Sequence, residues 1–417
     1  MNRTTRLAVT RRDFLKTSAA ASAAALLGGF ATQAAHAAGS DALKVGVIGC
    51  GGRGTGAAKN CVESSPNVTI TAVADMFPER QAGIVKAYKV PADRCFTGFD
   101  AYQKLLATDV NMVILATPPG FRPIHFKAAI EAGKHVFIEK PVCVDPVGYR
   151  SICATADLAK EKKLCVVAGT QRRHTNSYRE CVKRIKDGAI GDVVSAQCYW
   201  MGSPVHHRGE QKPGMSDIEF QIRNWYNWTW LCGDHIMEQH VHNIDVINWV
   251  MGGPPAKAVG IGGRSCREEK GNIFDHFAIE FEYASGVRVA SYCSHIDKGV
   301  NRVTENVVGS KGSATPGGTI KGAAAWKFEG ENPNGQMLEH RDLIAAIRGA
   351  APYVNEGRQV AESSMTAVLG RMVAYTGREV SWQWATEKSQ LNLMPPKLEF
   401  GPFAPPAIAI PGQTELI

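Results

Sequence analysis

The sequence predicts an α/β protein in two parts. A doubly wound parallel sheet is expected over residues 41–170, and an α+β domain on a mostly antiparallel open sheet over residues 171–392. Three observations lead there. Up to residue 168, short and wholly apolar runs alternate with segments of helical period, the pattern of parallel strands covered on both faces. Beyond Gln171 the runs are longer and alternate more loosely, as strands with one solvated face do. A chain of 417 residues that is 44% hydrophobic can bury two sizeable cores.

Residues 1–37 precede both parts. Thr10-Arg11-Arg12-Asp13-Phe14-Leu15-Lys16 carries paired arginines, an alanine-rich apolar run covers residues 19–30, and Ala35-His36-Ala37 offers a small-x-small cleavage site. The stretch resembles a bacterial twin-arginine export signal, which implies the export machinery as a partner and the periplasm as destination. The run is too short and interrupted to span a bilayer, and no later run nears the roughly 20 apolar residues a span takes, so the mature chain is expected to lack a membrane segment. Cleavage removes five cations (Arg3, Arg6, Arg11, Arg12, Lys16) and Asp13, halving the formal charge from +8 to +4. So weak a bias gives no footing for a nucleic-acid partner. The eleven cysteines are odd in number, scattered singly and without a C-x-x-C pair, and read as small buried hydrophobes.

In the first part, strands are expected at residues 44–49, 68–75, 110–116, 135–139 and 164–168, with helices at 123–133 and 147–163 among the connections. The second part opens with a helix at 175–188. Strands follow at 192–201, 256–263, 274–283, 287–295 and 303–308, with a hairpin turn at Ser285-Gly286. Helices at 336–349 and 357–377 come next, and residues 393–417 form a proline-rich, extended tail.

The chemistry begins at residues 43–56, where a β-branched run stops at L-K-V-G-V-I-G-C-G-G-R-G-T-G. Gly49, Gly51 and Gly54 have G-x-G-x-x-G spacing, with Gly52 and Arg53 between them. A strand turning straight into a helix leaves backbone N–H groups unpartnered, and glycines let a pyrophosphate reach them. Asp75 ends the second strand, 21 positions after Gly54, where a carboxylate accepts from a ribose 2′-hydroxyl and repels a 2′-phosphate. This favours NAD over NADP, although Arg53 is placed to neutralise a phosphate. Thr117 and Pro118 end the next long strand, at the sheet edge where open α/β sheets bind ligands. Glu139, Lys140 and Pro141 end the one after it. An ammonium there can hold a substrate hydroxyl and, beside an oxidised nicotinamide, handle its proton.

The segment from Gly233 reads as one helix, G-D-H-I-M-E-Q-H-V-H-N-I-D, running on through Trp249. His235, Glu238, His242, Asp245 and Trp249 then share a face, with the Glu238 carboxylate orienting His242 as a general base. A metal site built from His235, Glu238, His240 and His242 is the competing reading, as is structural burial of the histidines; no separate metal is expected. Trp225, Tyr226, Trp228 and Trp230 form either a sugar-stacking wall or core packing. His206 and His207 lie in a loop able to overhang the cleft.

Taken in order, the export signal, G-x-G-x-x-G, Asp75, A-T-P, E-K-P and H-N-I-D motifs resemble the glucose–fructose oxidoreductase, inositol dehydrogenase and rhizopine catabolism family (Gfo/Idh/MocA). The resemblance implies a Rossmann-type nucleotide domain. It gives Lys140 contact with substrate and nicotinamide, His242 the role of proton acceptor, and Asp245 a place beside the substrate. Arg172 or Arg173 would face the cleft, Glu238 stands where the family has aspartate, and a dimer or tetramer is implied. The expected activity is hydride transfer at a secondary hydroxyl of a sugar, glycoside or cyclitol, with NAD tightly held. Two alternatives stay open: an NAD-dependent glycosidase working by oxidation, elimination and re-reduction, and a non-catalytic sugar- or nucleotide-binding protein.

Overall fold

The computed structural model describes residues 41–205 and 209–417, so the export signal and the pair His206 and His207 lie outside the described residues. The first sheet has six parallel strands: β1 (Leu43–Ile48), β2 (Val68–Asp75), β3 (Cys95–Thr97), β4 (Met112–Leu115), β5 (His135–Ile138) and β6 (Val166–Ala168). Their order is β3-β2-β1-β4-β5-β6, so the chain reverses direction beside β1 and leaves a crevice at the strands' carboxyl ends. Successive side chains take opposite faces. Val45, Val47, Ile114 and Phe137 pack on one side, with helix α1 (Gly52–Ser64) covering it. Ile48, Val113, Leu115 and Ile138 pack on the other. Burial of this order is worth about 1.5–3 kcal/mol per large aliphatic side chain.

On the second face lie helices α2 (Arg122–Glu131) and α3 (Pro146–Glu161). Proline at the first position of α3 and an Asp145 carboxylate accepting from the Gly148 N–H fix its start. After α3 and β6 comes a nine-stranded sheet that includes β7 (Val193–Gly202), β8 (Lys257–Gly263), β9 (His276–Glu282), β10 (Arg288–His295) and β11 (Arg302–Gly309). Its neighbours are antiparallel except for β7 and β10. Gly286, with φ +82°, makes the turn between β9 and β10. Helix α4 (Gly357–Thr376) is buried along most of its length, against both α3 and β8. One apolar cluster therefore runs from Ile48 and Leu115 through Val368 and Leu369 to Phe277 and Phe281.

One expected element is corrected. The helix read through residues 235–249 is two: α5 (His235–Glu238) and α6 (Val241–Met251). The ladder breaks at Gln239 and His240. The N–H of His242 turns back to the Gln239 carbonyl at 3.3 Å, and the carbonyl of Glu238 is freed from the helix. Nine of the eleven cysteines are buried and all are free; Cys95 is half-buried and Cys266 exposed. No helix among the described residues is long and apolar enough to cross a membrane.

Candidate active site

A cleft of about 760 Å³ runs along the carboxyl edge of the parallel sheet and is closed on its far side by the second part of the chain. Gly49, Gly51, Gly52 and Arg53 line its middle. Gly49 has φ +94°, and a Cβ built on Gly54 would lie 1.8 Å from the Gly49 carbonyl oxygen, so these two positions let helix α1 start directly against strand β1. Gly54 itself does not line the cleft. Gly51 and Gly52 are different: a Cβ on either meets nothing, because both face open space. Gly51 caps α1 without a side-chain bond, and no acidic residue stands in the first turn. This cradle fits the pyrophosphate of a dinucleotide, which would take up the helix's unpartnered N–H groups.

Asp75 lines one end of the cleft. Its carboxylate accepts from the N–H of Cys50 at 2.7 Å and of Phe77 at 3.0 Å. Burial pushes its pKa up, while these bonds and Arg80 pull it back. Thr117 and Pro118 line the cleft beside the glycine loop. The Thr117 hydroxyl meets His125 Nδ1 at 3.1 Å, and its carbonyl accepts from the buried Arg122 at 2.9 Å. Arg122 also donates to the Pro141 carbonyl, so it clamps the ends of β4 and β5 together. Desolvation lowers the Arg122 pKa to about 10, and burial then Arg122 lower that of His125 to about 3. The arginine's role was not visible in the sequence.

At the other end stand Glu139, Lys140, Glu238 and His242. The Lys140 ammonium donates to the freed carbonyl of Glu238 at 2.5 Å and meets its carboxylate at 3.2 Å. Glu238 thus has Lys140 as its charged partner, where the sequence reading paired it with His242. The cause is the helix break, which separates Glu238 and His242 from one continuous face. His242 instead lies against the indole of Trp200, ring centres 5.8 Å apart. Burial, and then the charges of Lys140, Arg172 and Arg53, hold its pKa well below the usual imidazole value, so the ring is neutral. Arg53 gives its guanidinium to Glu139 and, at 3.5 Å, to the buried Glu339. Burial and then Glu139 push Glu339 well up.

Four residues expected beside the substrate, Arg172, Arg173, Tyr226 and Asp245, do not line the cleft. Arg172 pairs with the buried Glu305, which Asn243 and Tyr178 also hydrogen-bond. Arg173 grips Asp245 with two bonds of 2.8 and 3.0 Å, and Ser363 donates to the same carboxylate. In both pairs the carboxylate is buried and the arginine half-buried, and losing one partner of a buried pair costs on the order of 3–5 kcal/mol. Tyr226 is buried against Trp225 and His295 and does not line the cleft, whereas Trp225 does. In place of the arginines, the cleft presents the amides of Gln171, Gln239 and Gln336 and the indole of Trp200. Their only sequence signal was proximity to motifs. His240 turns into the core to Ser291 Oγ at 2.8 Å, and His235 stacks on His295 at 3.4 Å, so the histidines diverge.

A glycine cradle thus stands in the cleft together with a neutral imidazole and a lysine. Residues 43–170 match the oxidoreductase family with an NAD-binding Rossmann fold, and residues 178–315 match the GFO/IDH/MocA C-terminal domain. The chain belongs to the Gfo/Idh/MocA family. Residues 8–28 match a twin-arginine translocation pathway signal sequence. Among curated relatives, an inositol 2-dehydrogenase of Burkholderia cenocepacia is 26% identical over 250 residues, 59% of this chain and 66% of that protein, just under two thirds of its length. Two solved structures, each 18% identical and covering 82% of this chain, share the fold. The WlbA dehydrogenase of Bordetella pertussis, in complex with NADH and UDP-GlcNAcA, gives a TM-score of 0.65 over 98% of its chain. The aldose-aldose oxidoreductase of Caulobacter crescentus, complexed with glycerol, gives 0.64 over 99% of its chain.

Proposed function

We propose that this protein transfers a hydride between a secondary hydroxyl of an uncharged sugar, glycoside or cyclitol and a tightly held NAD. The observation that carries the proposal is Lys140, Glu238 and a neutral His242 at one end of the cleft that contains the glycine cradle. Residues 41–170 hold the cofactor and residues 171–392 complete the substrate site. The bound nicotinamide supplies the hydride acceptor. Lys140 holds the hydroxyl oxygen and offsets the negative charge that grows there, and His242 takes the hydroxyl proton. Glu238 keeps the ammonium aimed. Trp200 and Trp225 offer flat faces to a ring, and the three glutamines offer amides to its hydroxyls. The uncharged class is supported by Arg172 and Arg173, both of which are neutralised internally.

NAD is favoured over NADP because Asp75 stands at the ribose end while Arg53 is engaged by Glu139 and Glu339. The translocation signal supports export to the periplasm with the cofactor already bound. A cofactor that stays bound has to be reset by a second substrate, and the name of the Caulobacter crescentus relative is consistent with such sugar-to-sugar exchange. The exposed Ile261, Val259, Tyr292 and Val303 on the nine-stranded sheet support pairing into a dimer or tetramer.

The test is the ultraviolet absorbance of the bound nicotinamide as neutral polyols, uronic acids and aryl glycosides are added. Neutral polyols should change it. No change with any of them, or change with acids alone, would sink the reading. Release of an aglycone without net reduction would point to glycosidase chemistry instead.

A further inference from the structure

The cleft has a third wall at its Asp75 end, built by the C-terminal segment that follows residue 393 and lies outside both family matches. Leu398 lines the cleft there, as do Phe77 and Phe99, and all three belong to one apolar cluster. Two residues on, the Phe400 ring stacks on Phe77 (centres 6.3 Å apart, planes 12° apart) and sets its edge to Phe99 at 5.1 Å.

The segment is fastened at both ends. Before it, the N–H of Leu393 donates to Asp145 Oδ2 at 2.8 Å, the carboxylate that also starts α3. After it, the Gly401 carbonyl accepts from the Ile218 N–H at 3.3 Å. The Phe403 N–H reaches Asp217 at 3.1 Å, and its carbonyl accepts from Gln221 at 2.9 Å. Residues 395–400 form no helix or strand, and no main-chain hydrogen bond ties them to the rest of the described residues. What holds them is apolar contact: Pro395 is buried, Leu398 packs against the cluster that contains Phe77, and Phe400 meets two phenylalanine rings.

The occupant of this corner follows from its neighbours. The pyrophosphate cradle lies on one side, and Asp75, suited to ribose hydroxyls, lies between. Beyond the ribose, the walls include the apolar side chains of Phe77, Phe99 and Leu398 together with Arg80 and Arg223, the latter lying over the Phe77 ring at 3.7 Å. Aromatic rings and guanidinium planes both suit the heteroaromatic base of the dinucleotide. We propose that residues 394–403 belong to the cofactor site: Leu398 closes over the adenine end, Phe400 latches the strap to Phe77 and Phe99, and the dinucleotide leaves only when this strap lifts. The inference rests on the reading of the cleft as a nicotinamide dinucleotide site.

The experiment measures NADH dissociation from the purified protein by stopped-flow fluorescence, with an excess of oxidised cofactor as competitor. Wild type is compared with Leu398→Ala, Phe400→Ala and Phe400→Tyr. Phe400 is 48% exposed, so its substitutions spare the core even if Leu398→Ala fails to fold. Each alanine variant is expected to release NADH about tenfold faster, the loss of one aromatic or aliphatic contact, and Phe400→Tyr to match wild type. Wild-type release rates in Phe400→Ala would overturn the strap's role. A wild-type protein that binds no NADH would overturn the cofactor reading itself, and the strap with it.

Discussion

The Lys140 ammonium lies 2.5 Å from the main-chain carbonyl of Glu238 and 3.2 Å from its carboxylate. In the middle of a helix that carbonyl would already accept the N–H four residues further on. The break between α5 and α6 exposes it, and a lysine from the parallel sheet is thereby fixed by a helix of the second part of the chain. The break and the lysine's placement are one structural event.

Replacing Lys140 by methionine should lower turnover by about 10²–10⁴ while NADH still binds, because only the hold on the reacting oxygen is lost. Glu238→Gln should cost less, about tenfold in kcat, since the carbonyl contact survives the substitution. Steady-state kinetics beside NADH titration would check both. Equal and complete losses would return Glu238 to a direct catalytic role.

The glycine loop separates into folding and binding positions. Gly54→Ala puts a methyl against the Gly49 carbonyl and should destabilise the fold by roughly 2 kcal/mol or more. Gly51→Ala meets nothing in the protein and should melt as wild type does, yet bind NADH about tenfold more weakly because the methyl enters the cradle. Thermal melts and NADH titration distinguish the two.

Asp75→Ser should raise affinity for NADP relative to NAD by about tenfold or more, since the carboxylate that repels a 2′-phosphate is gone and Arg80 remains beside it. An unchanged NAD to NADP affinity ratio would remove Asp75 from the recognition of the ribose.

His174 is buried, which disfavours its charge, but Asp342 and Glu356 on either side raise its pKa to about 9. A folded pKa above the unfolded one stabilises the protein fully below about pH 6.5, and the benefit is lost as pH rises through about 9. His174→Gln should therefore destabilise by up to roughly 3 kcal/mol in mildly acidic buffer and by little in alkali. His242 is shifted in the opposite direction: its depressed pKa keeps it uncharged through the range where a free imidazole would be charged. Denaturation midpoints across pH would show the His174 effect. A difference between wild type and variant that does not shrink in alkali would reject it.

What the sequence revealed was whatever depends on neighbours along the chain. The strands β1, β2, β4 and β5 announce themselves as apolar runs, and the glycine loop and Lys140 sit at their ends. The misplaced residues depend on partners far away in sequence. The family resemblance puts Arg172 or Arg173 at the cleft, while Glu305 and Asp245, which neutralise them, give no local sign in the sequence of pairing with that segment. Likewise the helix through residues 235–249 has unbroken apolar periodicity, and its interruption falls where Glu238 and His240 meet residues far away in sequence. Strand β3 spans only Cys95–Thr97, too short to show a period.

Helix α4 has a consequence for how the molecule comes apart. Because Val368, Leu369 and their neighbours sit in one apolar cluster with strands of both sheets, neither sheet can lose its packing while the other keeps its own. Calorimetry should record a single transition over residues 43–417, and proteolysis of the native protein should give intact chain or small fragments, with no surviving nucleotide-binding half.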